Sequence, residues 1–333
     1  MIVTLTLNPS LDRTLEVDRL RRGGVNRAAA VRIDPGGKGV NVTRALRAFG
    51  IESRAVLPYG GPDGQELVRM LAAADVPIAQ VLVAGWTRSN VTVVEPGGRS
   101  TKINAPGDPL TETELAALAE MMLRACSPAG QGSEGVDLGS RPEASWVVLC
   151  GSLPPGVPDD FYATLTSLFT ARGIRVAVDT SGAALAATVA AGPDLIKPNR
   201  EELAAAVGAP LSSIGDVVTA AQRLRARGAG AVLASLGPDG AVLVDAEGVV
   251  RCTADPVEPC STVGAGDALL AGFLAAGASG DRAVVEAVAW GRAAVGLPGS
   301  RMPGPDDIDQ DSVRIVRDPD GVPEHAALSS LEG

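Results

Sequence analysis

The sequence predicts an α/β fold: one large domain whose mostly parallel sheet is covered by helices on both faces, with a small β-sheet lid projecting from it. Three observations carry this reading. Short apolar runs alternate with helical patterns along most of the 333 residues, the order expected of a parallel sheet with crossover helices. Two segments in the first third break the alternation and read as hairpins. The composition, 46% hydrophobic but only 3% aromatic, suits a large aliphatic core in one domain with a small appendage.

In chain order, the apolar run Val3 to Leu7 is the first strand. Residues 10–33, SLDRTLEVDRLRRGGVNRAAAVRI, then read as hairpin-like strands turning at Gly23-Gly24. Helical patterns follow at 39–50 and 62–74, and a second hairpin-like segment occupies 87–104 with its turn at Pro96-Gly97-Gly98. This organisation assigns 1–9, 34–86 and 105–310 to the main nucleotide-binding domain and 10–33 with 87–104 to the lid. A helix is expected at 111–125, and residues 126–143, CSPAGQGSEGVDLGSRPE, have no apolar period and read as a flexible insertion. The runs Trp146 to Leu149, Val176 to Val178 and Ala231 to Ala234 are strands set among helical patterns at 158–172, 199–207, 213–227 and 266–278. From Arg301 the chain turns polar and Pro-rich, so 311–333 is expected to be a polar C-terminal tail.

A formal net charge of −10 argues against nucleic acid or an anionic membrane surface as the main partner, since both demand a basic footprint. The start, MIVTLTLNPSLDR, lacks the continuous apolar segment of a signal peptide, and no apolar run reaches the ~18 residues of a membrane span. Cys126, Cys150, Cys252 and Cys260 show no CxxC spacing, and the single histidine, His325, lies in the tail. Zinc, disulfide and Ser-His-Asp readings are therefore poor, and the cytoplasm is the expected address.

Four motifs carry chemistry. DPGGKGVNV, residues 34–42, places Gly36, Gly37 and Gly39 before a helix, where backbone N–H groups favour an anion or a hydroxyl; a plain glycine turn capped by Asn41 explains it as well. It lacks the GxxxxGK[ST] spacing of a Walker A loop. In IKPNREEL, residues 196–203, the helix dipole alone favours Glu201 and Glu202 in a first turn, while Asn199 with Glu202 would suit Mg2+ near phosphate. SLGPDGAVLV, residues 235–244, is an ordinary strand–turn–strand, and GSLPPGV, residues 151–157, ends a strand where open parallel sheets bind ligands. The fourth, STVGAGD at 261–267, sets Asp267 behind Gly264-Ala265-Gly266 at the start of an apolar helix. Leu269 stands where a dinucleotide fingerprint needs its third glycine. A run of N–H donors beside one carboxylate suits a transferring phosphoryl group and a base for the attacking hydroxyl. A simple N-terminal cap accounts for Asp267 but not for the flanking glycines.

In this order, TLNPSLD (6–12), DPGGKGVNV, TRSNVTVVE (87–95), GSLPPGV, IKPNREEL, SLGPDGA (235–241) and STVGAGD resemble the phosphofructokinase B family of ribokinase-like sugar kinases, over residues 1 to about 310. VNR, TKIN and VLCGSLPPGV look most like the bacterial 1-phosphofructokinase branch, with tagatose-6-phosphate kinase close behind. The resemblance implies a ribokinase-like three-layer α/β/α domain with a β-sheet lid that often serves as a homodimer interface. It implies Asp267 as catalytic base and Gly264, Ala265 and Gly266 as an anion hole. Asp12, Gly36, Gly37, Lys38 and Asn41 would hold the sugar, and Arg88 with Lys102 its existing phosphate. Lys197, Asn199, Ser235, Gly237 and Gly240 would line an ATP site, and Asn199 with Glu202 would organise Mg2+.

The implied reaction is ATP-dependent phosphorylation of fructose 1-phosphate at its 6-hydroxyl, with a tagatose-6-phosphate or fructose-6-phosphate 1-kinase as the alternative. A non-catalytic sugar or nucleotide sensor is disfavoured by the intact Asp267, whose charge the helix terminus is expected to stabilise. The chain departs from the branch pattern at Ala105 where glutamate is common, at Ala268 in place of serine, and at Cys260. These changes bear on the fit of the sugar, not on the transfer chemistry.

Overall fold

The computed structural model describes residues 1–97, 99–127, 144–316 and 328–329. The expected insertion, from residue 128 onward, lies outside them, as do Gly98 of the second lid turn and most of the tail, including His325.

Among the described residues the strands form two sheets. The large sheet is built from β1 (Ile2–Thr6), β4 (Ser53–Tyr59), β5 (Ile78–Leu82), β8 (Trp146–Cys150), β9 (Arg175–Asp179), β10 (Leu195–Ile196), β11 (Ala231–Ser235), β12 (Ala241–Val244), β13 (Val249–Ala254) and β14 (Val313–Val316). Its order is β14-β13-β12-β11-β10-β9-β8-β1-β4-β5. It is parallel from β5 to β11 and antiparallel through β12, β13 and β14. The small sheet, β3-β2-β6-β7, comprises β2 (Ser10–Glu16), β3 (Ala30–Gly36), β6 (Arg88–Val94) and β7 (Ser100–Ile103).

Alternation along each strand divides the core. Val3, Leu5, Val147, Leu149, Val176 and Val178 point to one face, under α3 (Glu112–Ala125), α4 (Phe161–Thr170), α5 (Gly182–Ala190), α6 (Arg200–Val207) and α7 (Ile214–Ala226). Ile2, Trp146, Val148, Ala177 and Leu233 point to the other, under α1 (Lys38–Ala48), α8 (Ala265–Ala275) and α9 (Gly280–Val295). A smaller cluster around Leu11, Val40, Leu57 and Leu67 seats α2 (Gly61–Ala73) beneath the root of the lid. The helices therefore cover both faces, as the sequence implies.

Several details differ from the sequence reading. The two lid hairpins are joined through a parallel β2–β6 pairing, with Asp12 opposite Asn90. β3 runs on to Gly36 because Asp34 and Gly36 pair with Asp12 and Ser10, so the start of the DPGG turn belongs to the small sheet. Val313–Val316, assigned to a polar tail, pair with β13; the alternation of Val313 and Ile315 with Arg314 gives that short stretch an apolar face. Helices α5 and α9 were not expected: GAALAATVA is apolar all round, and α9 begins directly after the α8 pattern.

Strand order reverses at β1, which lies between β8 and β4. Chain leaving the carboxyl ends of β1, β8, β9, β10 and β11 carries the lid, GSLPPGV, Asp179, Lys197 and Ser235 to one edge of the sheet. Ligands of open parallel sheets bind at such a switch point.

Candidate active site

Helix α8 starts where Gly264 takes a left-handed conformation, φ 80°, and its Cβ position would lie 2.5 Å from Met302 Cε. The positive φ calls for glycine there, whereas the Met302 methyl, at the end of a flexible side chain, could give way. Ala265 and Gly266 open the helix, so their N–H groups have no intrahelical acceptor. Leu270 and Phe273 are fully buried, and burial of such side chains, about 1.5–3 kcal/mol each, seats the helix against α1 and α9. That packing carries Asp267 down with it, to 7% exposure.

Burial sets the chemistry of Asp267. Desolvation first, and then the negative charge of Asp179, push its pKa from 3.8 to about 6, against the opposing pull of Lys38, an Asn41 hydrogen bond and Lys197. The helix start thus does not hold the charge as cheaply as the sequence suggests, because desolvation outweighs the dipole. A carboxylate so raised is a better proton acceptor near neutral pH. With Asp267 as proton acceptor, kcat/KM is expected to rise tenfold per pH unit on the acid side and level off above about 6. A rate profile flat down to the ordinary carboxylate range would contradict this.

Asp179, at the end of β9, is fully buried between two ammonium groups: Lys38 Nζ at 2.7 Å and Lys197 Nζ at 3.2 Å. Burial opposes its ionisation, but the two lysines outweigh burial and hold its pKa below the ordinary value. Lys38 also meets Glu202 at 3.3 Å. For Lys38, burial favours loss of the proton, yet Asp179, Glu202 and Asp267 together raise its pKa, so it stays charged. Lys197 Nζ would lie 3.4 Å from a Cβ at Gly266, beside the α8 start.

Asn199 caps α6, accepting from Glu202 N at 2.8 Å, while Glu202 Oε2 accepts from Asn199 N at 2.9 Å. This reciprocal capping box, together with the Lys38 contact, engages both Glu202 oxygens. Among the described residues no cluster of three or more acidic, histidine or cysteine side chains gathers for a metal. With both Glu202 oxygens so engaged, the pair forms a complete helix start as it stands.

Ser235, Gly237, Gly240, Ala265 and Gly266 share one cavity of about 430 Å3, walled otherwise by mostly apolar side chains such as Val257, Leu269 and Val288, with Asp255, Thr262 and Arg292 among them. Lys197 and Asn199 lie beside it rather than in its wall; Asn199 is held there by a bridge to Ser235. The turn at 237–240 is fixed by backbone closeness, since a Cβ on Gly240 would fall 2.0 Å from Cys252 O.

The inner lid face carries alternate residues of each strand. Asp12 accepts from Ser10 Oγ at 2.7 Å and Asn90 Nδ2 at 3.0 Å. A Cβ on Gly36 would sit 2.3 Å from Asp12 Oδ2, so any side chain there would displace the carboxylate. Gly37 has a different reason: φ is 121° and its Cβ position abuts Thr6 of β1, so the turn admits only glycine there. Arg88 donates to Ala105 O at 2.8 Å and Asn8 O at 3.0 Å, while its Nε is buried with no partner among the described residues. Burial lowers its pKa, and the field of Asp12 opposes that. Lys102 is not beside it: Lys102 pairs with Thr92, four residues along β6 from Arg88, or about 13 Å. It borders a second cavity with Thr14, Arg32 and Thr262.

Sequence reasoning missed Asn8, whose carbonyl Arg88 holds, Arg44, which donates to Asn41 Oδ1, and Asp179. Asp179 carried a usable signal, an acid closing an apolar strand of a parallel sheet. Arg44 carried another, lying three residues after Asn41 on one helix face.

The sequence profile of the pfkB family carbohydrate kinases matches residues 5–306. The chain is 39% identical over 312 residues to the ATP-dependent 6-phosphofructokinase isozyme 2 of Escherichia coli, covering 92% of this chain and 96% of that one. It is 38% identical over 309 residues to the 1-phosphofructokinase of Rhodobacter capsulatus, covering 92% and 93%. The crystal structure of phosphofructokinase-2 from Escherichia coli in complex with substrates and products superposes with a TM-score of 0.82 at 39% identity, over 92% of this chain and 96% of that one.

Proposed function

The chain belongs to the pfkB family of carbohydrate kinases and is an ATP-dependent phosphosugar kinase of phosphofructokinase type, and we propose that its acceptor is the 6-hydroxyl of fructose 1-phosphate. The likeness to the Rhodobacter capsulatus 1-phosphofructokinase supports the choice of sugar, and the observation that carries the transfer chemistry is the position of Asp267. It stands one residue from the wall of the cavity shared by Ser235, Gly237, Gly240 and Gly266, and it is hydrogen-bonded to Asn41 at the lid root.

In the proposed reaction the nucleotide occupies that cavity as MgATP; Asn199 and Glu202 would help to hold the ion through water, and its charge would ease transfer of the phosphoryl group. The sugar lies under the lid, where Asp12 and Asn41 meet its hydroxyls and Arg88 its existing phosphate. Asp267 accepts the hydroxyl proton as that oxygen bonds to the γ-phosphorus and the bond from phosphorus to the bridging oxygen of ADP breaks. Backbone N–H groups of Gly264, Ala265 and Gly266 meet the charge on the transferring group, aided by the nearby Lys197 and Lys38. Because such transfers are largely dissociative, the proton moves late, and positioning with anion stabilisation supplies most of the barrier reduction.

A second reading, fructose 6-phosphate phosphorylated at its 1-hydroxyl, is favoured by the 39% identity to a 6-phosphofructokinase. ADP release measured with fructose 1-phosphate, fructose 6-phosphate and tagatose 6-phosphate separates the two. The highest kcat/KM is expected with fructose 1-phosphate; a preference for fructose 6-phosphate would replace the first reading with the second.

We also propose a homodimer formed through the lid. The lid face opposite the site exposes Val31 and Ile103, each at 61%, with Ile33 beside them. A four-stranded sheet with both faces to water is marginal, and a second copy would cover that apolar face and protect its edges. Sedimentation at micromolar concentration is expected to show the dimer; an active monomer would rule it out.

A further inference from the structure

We propose that Arg44 is a positioning residue for the catalytic base: it fixes the Asn41 amide so that the NH2 end faces Asp267, and it ties that orientation to the root of the lid. Arg44 lies on α1, three residues beyond Asn41, with its guanidinium largely enclosed. Its Nη1 donates to Asn41 Oδ1 at 3.0 Å, to Pro35 O at 3.1 Å and to Ser300 Oγ at 3.3 Å. Asn41 Nδ2 in turn donates to Asp267 Oδ2 at 2.9 Å.

A primary amide can present either end by rotating about its last bond. With a guanidinium on one side and a carboxylate on the other, only one orientation satisfies both. The reverse would set the Asn41 carbonyl against the Asp267 carboxylate and its NH2 group against Arg44. An uncharged residue at position 44 would leave the Asp267 carboxylate alone to set the orientation, and protonation of Asp267 would then release it.

The guanidinium has no other obvious reason to be there. Burial lowers its pKa while Asp34, Asp12 and Asp267 counter that, yet no carboxylate forms a direct ion pair with it among the described residues. Burying a cation without a paired anion is costly. Its acceptors come from the end of β3, from α1 and from the segment after α9, so one side chain links the lid strand, the amide and the base.

This inference rests on Asp267 being the base. The groups whose charges reach Asp267 are Asp179 at the end of β9, Lys197 after β10, and Lys38 and Arg44 on α1. Arg44→Lys keeps the cation but shortens the reach and loses the planar fork; Arg44→Met removes the charge.

The test is the pH profile of kcat for wild type, Arg44→Lys, Arg44→Met, Asn41→Ala and the Asn41→Ala/Arg44→Lys double variant, with Asp267→Asn as control and circular dichroism as the check on folding. Arg44→Lys is expected to lower kcat about 10–100-fold, by analogy with outer-shell partners of reactive groups, and to move the acid limb upward. KM for ATP should change by less than about threefold, and in the Asn41→Ala background Arg44→Lys should add less than about threefold, since the residue it acts through is gone. If Arg44→Met fails to fold, the lysine variant carries the test. A folded Arg44→Lys protein with an unmoved acid limb, or one whose loss multiplies in full on Asn41→Ala, would overturn the inference. Near wild-type turnover by Asp267→Asn would instead remove the base, and this inference with it.

Discussion

Asp267→Asn is expected to lower kcat by about 10²–10⁴-fold, the range of a lost general base, while affinity for ATP changes little. Asparagine keeps the shape and can still accept the Asn41 hydrogen bond, so the variant loses proton acceptance rather than architecture. Stability should move the other way. Because the folded pKa of Asp267, about 6, lies above its unfolded value, the folded state binds more protons between the two, and stability falls as pH rises through that window. Above it the buried charge carries its full penalty. A neutral asparagine removes that penalty, so the variant should melt no lower than wild type at pH 7. Steady-state kinetics, nucleotide titration and thermal melts together check this. Near wild-type kcat would reduce Asp267 to a helix cap.

Arg88→Ala should cost roughly 2–4 kcal/mol of transition-state binding, about 30- to 1,000-fold in kcat/KM, the range for truncating one member of a buried charge pair. Among the described residues Arg88 has no ion-pair partner, although the field of Asp12 supports its charge, and a guanidinium matches phosphate oxygens two at a time. Ala105 O and Asn8 O, which it now holds, would also be released, so part of the loss will be shared by every substrate. The excess should fall on fructose 1-phosphate and spare residual activity toward free fructose, which offers no anion. Measuring both sugars separates these contributions. Equal losses on the two would mean that Arg88 only props the lid.

Much of this molecule was legible in the sequence because its signals are local. The aliphatic runs of β1, β8 and β9, and the glycines before Asp267, report positions that backbone and burial demand. The residues that escaped notice act across the fold. Asp179 matters because Lys38 and Lys197, distant in sequence, meet on it, and Arg44 matters because Asn41, Pro35 and Ser300 converge on it. Asn199 and Glu202 show the opposite case: their spacing suits a metal or a capping box, and the capping box becomes visible only in their hydrogen-bond partners. Likewise Arg88 and Lys102 look like a phosphate clamp in the sequence, but strand register sets them apart.

The most direct measurement is the single-turnover rate constant for transfer of the γ-phosphoryl group from labelled ATP to the phosphosugar, taken from about pH 5 to about pH 8 for wild type and Asp267→Asn. Wild type is predicted to show an acid limb from a carboxyl whose pKa burial raises above the ordinary range, and the variant to be slow throughout with no limb. The same limb persisting in Asp267→Asn would place proton acceptance on another group and contradict the account.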